Sequence, residues 1–242
     1  MINRILNLAD NNLILCQRNG EWCGHGPILE QDIAITNITL DLLGQARLWY
    51  QYASTLMNVD NNSYSEDSLA YRRNEREFLN ILMVELPKGN WGFTILRQYF
   101  FSQFQFLLYS RLKNSGDTTV AAIAEKSLKE ISYHIKWSSE WVLRLGDGTD
   151  ESHEKMQDAL DDLWPYTGEM FIAANFENED ECNELKIEWL QKVSPLLEEA
   201  TLNIPENTFM QTGGKSGIHT EHLGYLLAEM QYLQRAYPDA EW

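Results

Sequence analysis

The sequence predicts an all-α protein, a bundle of long helices spread over a single domain, residues 1–242. Three observations carry that expectation. Apolar residues recur at helical spacing through most of the chain, and no convincing run of alternating β residues interrupts them. The breaks between periodic stretches are made of helix-stop and helix-start residues. One stretch, WGFTILRQYFFSQFQFLLYSRL, is apolar or aromatic almost all round, as a helix buried on every side must be.

Taken in order, helices are expected at about 5–22, 29–57, 67–85, 91–113, 117–145, 151–176, 183–200 and 220–236. The first stops at the glycines of CGHGPILEQ, and Pro27, a residue favoured in a first turn, restarts the chain. The second is longer than most globular helices. LPKGNWG (86–92) ends the third, and the all-round apolar helix follows. Gly116 then Asp117 reads as a stop followed by an N-cap, and GDGTDES (146–152) repeats that logic. Pro165 is expected to kink the sixth helix. The acidic run ENEDECNE (177–184) reads as a solvated turn and helix start. No internal repeat, low-complexity stretch or long linker appears.

Composition narrows the partners. Hydrophobic residues make up 44% and aromatics 12%, which is a globular and not a disordered balance. A formal charge of −17 argues against a nucleic-acid backbone or an anionic membrane, since both ask for a basic face. Cys16, Cys23 and Cys182 form an odd set with no C-x-x-C pair and no activating basic neighbour, so a reducing cytoplasm is expected and a disulfide framework is not. The N-terminus breaks its apolar residues with Asp10, Asn11 and Asn12, unlike a signal peptide or a membrane span.

Polar residues in bundle helices raise the question of a metal site. ITLDLLGQARLWYQYA carries Asp41, Gln45 and Arg47 near the middle of the second helix. Bundles that hold two irons draw a Glu from each of two helices and Glu-x-x-His from each of two others. Here Asp41-x-x-Gly44 stands where one such pair would be, and Glu130 is followed at i+3 by Tyr133, with His134 one residue late. Gln103 occupies the buried fourth helix where a carboxylate is wanted, and the first helix offers Gln17 and Glu21. About six anionic or imidazole ligands are needed, and Asp41, Glu130 and His134 are what the chain supplies. Glu130 and His134 share a helix face, so the plainer account is a hydrogen-bonded pair beside Lys129 or Arg47.

The sequence resembles the C-component family of the bacterial phenylacetyl-CoA 1,2-epoxidases, multicomponent ring monooxygenases. The resemblance spans essentially the whole chain. It is carried by CQRNGEWCGHGPILEQDIAITNITLDLLGQAR, EISYHIKWSSEWVLRLGDGTDESHEKMQ, LWPYTGE and TGGKSGIHTEHLGYLLAEMQYLQR. It implies a ferritin-like four-helix bundle with additional helices, derived from a catalytic A subunit but without its ligands. Asp41, Gly44, Gln103, Glu130, Tyr133 and His134 are then vestigial di-iron positions, and this chain holds no cofactor. The implied partners are the A subunit, which carries the di-iron centre and epoxidises the ring, further subunits, and a flavin and iron–sulfur reductase that supplies electrons from NADPH. The implied role is structural, with a homodimer as the state left open for the isolated chain.

QTGGKSGIHTEH admits three readings. Gly213, Gly214 and Lys215 before a helix could cradle the CoA phosphates or meet the partner, although a Walker-type loop would need glycine where Phe209 stands and a preceding strand. His219 and His222, with Glu221 between them, are a metal pair short of ligands. The third reading is a glycine-shaped turn with Thr220 as N-cap. Trp137 and Trp141 continue from His134 at helical spacing and read as core or interface. Against the structural-subunit reading stand an independent ferritin-like di-iron oxygenase or iron store, and a helical binding module for an unrelated partner.

Overall fold

The computed structural model describes residues 1–58, 63–238 and 240. Every regular element among them is helical, as the periodicity requires. The chain forms two compact units, Met1–Pro87 with Gly213–Trp242, and Lys88–Thr212.

In the first unit α1 (Ile2–Gly20) packs along α2 (Leu29–Met57). Gly20 lies beside Thr39 and Asp10 beside Tyr50, so the two run antiparallel. The reversal uses Gly24 at φ +79°, and the Asp32 carboxylate accepts the Gly26 N–H at 2.9 Å. Hydrogen bonds from the Gly26 and Gly24 backbone hold the Asp32 carboxyl below the usual aspartate range. The second helix begins after an extended Ile28, two residues beyond Pro27.

Residues 67–85 are not one helix. α3 (Glu66–Tyr71) and α4 (Leu82–Glu85) bracket a 3₁₀ turn at Glu75–Glu77 and an extended stretch from 78 to 81. The extended backbone finds its partners in side chains of α1. Asn7 Nδ2 donates to the Leu79 carbonyl at 2.6 Å, Asp10 accepts the Leu79 N–H at 2.8 Å, and Asn11 accepts the Ile81 N–H at 2.8 Å. The polar residues that interrupt the N-terminal apolar run are therefore buried and used. At the other end, α9 (Glu221–Met230) and α10 (Tyr232–Ala236) replace the single helix expected over 220–236. The break falls at Gln231, whose buried amide donates to the carbonyls of Ala70 and Arg73 at 3.1 and 3.0 Å.

The second unit is built on α5 (Trp91–Leu112), which packs against α6 (Thr118–Gly146), α7 (Asp150–Leu163) and α8 (Glu179–Glu199). Each start is capped by a side chain, Asn90, Asp117, Thr149 and Asn178 in turn. The helix expected over 151–176 stops at Leu163. Pro165 does not kink it but opens a 3₁₀ turn, Trp164–Tyr166, followed by another at Gly168–Phe171. Phe100 meets Trp164 and Trp189 edge-on, with centroids 6.1 and 5.5 Å away, and Trp189 Nε1 donates to the Phe100 carbonyl at 3.0 Å. Trp137 is core, edge-on to Trp91 at 6.0 Å, while Trp141 is half-buried beneath the Arg144 guanidinium. Among the described residues no helix is long and apolar enough to cross a membrane.

Candidate functional site

A pair of irons needs its ligands on the buried face of each helix. On α2 the buried residues one turn apart are Leu42 and Gln45, and on α6 they are Ile131 and His134. The pairs suggested by the sequence lie one residue away, a rotation of about 100°. Asp41 and Glu130 are half-buried, Gly44 is exposed and Tyr133 is 47% exposed. His134 is the one member of that set that is fully buried. The interior position three residues before each buried Gln or His is thus aliphatic, and Leu and Ile offer a metal no lone pair.

The remaining helices follow suit. Gln103 is half-buried and hydrogen-bonds the Tyr99 hydroxyl, whose pKa burial pushes up. Glu21 is exposed and pairs with Arg18 at 2.7 Å. The fully buried polar residues of α5 are Thr94, Arg97, Gln98, Ser102 and Gln105, with Gln98 Nε2 donating to Ser102 Oγ at 2.8 Å. Sequence reading missed these, although polar residues recurring every three or four positions in an aromatic helix were their signal. Amides and hydroxyls are poor iron ligands. No three of the described His, Cys, Asp or Glu residues gather as a metal group. The donor set does not fit an iron pair.

Two buried polar clusters organise the first unit instead. Asp10 on α1 takes Tyr50 OH at 2.5 Å and Leu79 N at 2.8 Å, and Arg73 grips both its oxygens. Arg73 also donates to the carbonyls of Leu69 and Glu77 and lies 4.2 Å over the Phe78 ring. Burial works against its charge, but the Asp10 carboxylate and Tyr50 outweigh it and raise its pKa.

The second cluster gathers around Glu85 at the end of α4. Its Oε1 accepts from Thr220 N and Thr220 Oγ1 at 2.6 and 2.8 Å, and its Oε2 accepts from Asn80 Nδ2 at 2.8 Å. His219 Nε2 lies 2.9 Å from the Phe78 carbonyl, which only accepts, so that nitrogen carries a proton. Nδ1 lies 2.8 Å from Glu85 Oε2, and one proton is held between them. His219 and Glu85 form a hydrogen-bonded pair, and neither side chain reaches solvent. Arg18 closes the arrangement by donating to the backbone carbonyls of Glu85 and His222.

That cluster explains the glycines. A β-carbon on Gly214 would lie 2.1 Å from the Asn80 carbonyl, and one on Gly217, at φ +75°, 2.4 Å from the Arg76 carbonyl. Close backbone approach is their use here. Gly213 turns at φ +145°, Lys215 is buried, and α9 begins only at Glu221 with Thr220 as its cap. The segment therefore forms the turn and not a phosphate loop opening a helix. His222 is half-buried, and a surface cavity of about 420 Å³ beside His219 is lined by Glu75, Arg76, Ser216, Gly217 and Ile218. Glu85 was not foreseen, because nothing local marks a carboxylate whose partners lie 134 and 135 residues away.

Comparison with known proteins agrees with the resemblance. The family described as phenylacetic acid catabolic protein matches residues 1–242. The C component of the 1,2-phenylacetyl-CoA epoxidase of Escherichia coli (strain K12) is 48% identical over 244 aligned residues, covering 98% of this chain and 97% of that protein. The all-helical architecture is consistent with the ferritin-like helical fold expected of such chains. Matched over its full length, this chain belongs to the phenylacetic acid catabolic protein family.

Proposed function

We propose that this chain is the non-catalytic structural subunit of a multicomponent phenylacetyl-CoA 1,2-epoxidase that serves aerobic phenylacetate degradation in the cytoplasm. The 48% identity to the C component of such an epoxidase, over nearly the whole of both chains, carries this reading. Leu42 and Ile131, aliphatic where ligand carboxylates would be needed, support it. In this reading a ligand-complete homologue, the catalytic A subunit, holds the iron pair and the aryl-CoA, and a reductase supplies electrons. This chain holds no cofactor, folds as one domain over 1–242, supports the A subunit and self-associates when alone. Contact with the partner or with the CoA phosphates is assigned to the segment of Gly213, Gly214, Lys215, His219 and His222, where Lys215 and the His219 side chain are buried and Ser216, Ile218 and Glu221 are exposed. The alternative of an independent iron enzyme or iron store finds no support in the donor set.

The test compares iron on the isolated chain, loaded anaerobically with Fe(II) and freed of excess, with iron on a complex co-expressed with the catalytic subunit. Near-zero iron alone, with iron and turnover in the co-purified complex, is the expected result. About two irons per isolated chain, or failure to co-purify, would overturn the reading.

A further inference from the structure

The outer face of α2 is unusual for a surface helix. Glu30, Ile33, Asn37, Leu40, Gly44 and Arg47 are exposed and spaced alternately three and four residues apart, as in a coiled-coil seam. Leu29 and Leu43 flank that seam on one side. Exposure reaches 71% at Leu29, 52% at Ile33, 58% at Leu40 and 40% at Leu43. A solvent-facing stripe normally carries charge, not large aliphatic side chains. At Gly44 the surface is open, since a β-carbon there would meet nothing within 4 Å.

The seam is complementary to itself when reversed. Set antiparallel about a two-fold axis between Asn37 and Leu40, Glu30 of one chain faces Arg47 of the other, and Ile33 faces the gap at Gly44. A parallel pairing would instead set Glu30 against Glu30 and Arg47 against Arg47. Arg47 already lies 3.5 Å from Glu66 Oε1, but its side chain is 69% exposed and keeps donors to spare. Asn37 facing Leu40 is the polar seam residue that penalises slipped registers.

We propose that the outer face of α2 pairs antiparallel with the same face of a second copy of this chain, in a two-fold, isologous contact. The inference deepens the structural-subunit reading and rests on it only for the expectation that the isolated chain self-associates. Opposite charges end the seam, and a large side chain meets a small one at each shoulder.

Sedimentation equilibrium of the isolated full chain tests this, with far-UV circular dichroism confirming that each variant stays folded. The expected state is a dimer. Glu30→Arg or Arg47→Glu alone should weaken it about tenfold, and the two together should restore it to within about threefold, because each reversed charge again meets its opposite. Ile33→Glu should leave a monomer. A wild-type monomer at the highest soluble concentration, a dimer indifferent to these changes, or a double variant that is not rescued would overturn the proposal. Each of those outcomes leaves the iron and co-purification results untouched. If α2 variants instead abolished capture of the catalytic subunit while the isolated chain stayed unchanged, that subunit would own the seam and the second-copy assignment would fall.

Discussion

Glu85 and His219 are 134 residues apart in sequence and 2.8 Å apart in the fold, a carboxyl and an imidazole both sealed from solvent. Removing the Glu85 carboxyl strands the buried polar groups of Asn80, His219 and Thr220 that meet it. Glu85→Ala should therefore lower unfolding free energy by about 3–5 kcal/mol, read by urea denaturation. Glu85→Gln, which keeps the shape, should cost less. A loss near zero for the alanine variant would contradict the buried hydrogen bonds assigned to Glu85.

The Asp10 cluster makes a parallel test with a different chemistry. Tyr50→Phe removes one donor to a buried carboxylate and should cost about 1.5–3 kcal/mol. Asp10→Ala should cost more, since Arg73 would lose its counter-charge and Leu79 its N–H partner. Hydrogen exchange at Leu79 is the sharper readout, and it should speed up in the Asp10 variant and stay near wild type in Tyr50→Phe.

Glycine substitutions separate geometry from propensity. Gly217→Ala places a β-carbon against the Arg76 carbonyl in a backbone that L-residues avoid, and should lower stability by about 1–3 kcal/mol. Gly116→Ala, where a β-carbon meets nothing within 4 Å, should be nearly silent in thermal melts.

Asp32 gives a pH-dependent term. Its folded pKa is lowered by the backbone N–H groups of Gly26 and Gly24, so its contribution is present above the ordinary aspartate value of 3.8. It is lost as pH falls through the lower folded value. The stability gap between wild type and Asp32→Asn should be constant near neutrality and shrink on acidification below that point. A gap that widens toward acid would contradict the sign of the shift.

Thiol chemistry should divide the cysteines. Burial pushes the Cys16 thiol up to about 12, Cys182 is buried, and Cys23 is exposed. In the native protein at mildly alkaline pH a thiol reagent should label Cys23 rapidly, and the other two only after denaturation.

Much of this fold is legible in the sequence because helix signals are local. Asp117 and Thr220 cap the helices that their sequence context announces, and the all-round apolar stretch is the central helix of its unit. The segment 67–85 misleads because its apolar residues suit a helix equally well. Its actual partners, Asn7, Asp10 and Asn11, lie some seventy residues earlier and leave no local trace. The candidate metal positions are legible in kind but not in phase. Asp41 and Glu130 offer the carboxylates, whereas burial selects Leu42 and Ile131, one residue along. A hydrophobic pattern that is apolar on two sides of a helix, as in α2, does not say which side faces in.

The pairing of Glu85 with His219 and Thr220 also sets an order of events during synthesis. Met1–Pro87 leaves the ribosome well before Gly213–Trp242, the piece that completes the same unit, with Lys88–Thr212 made in between. At ~5–20 residues per second that interval is roughly 6–25 s. Throughout it Glu85 has no His219 or Thr220 to meet, so a residue made early is among the last to reach its final hydrogen bonding. A chain cut short before Gly213 would leave Glu85 without those partners permanently.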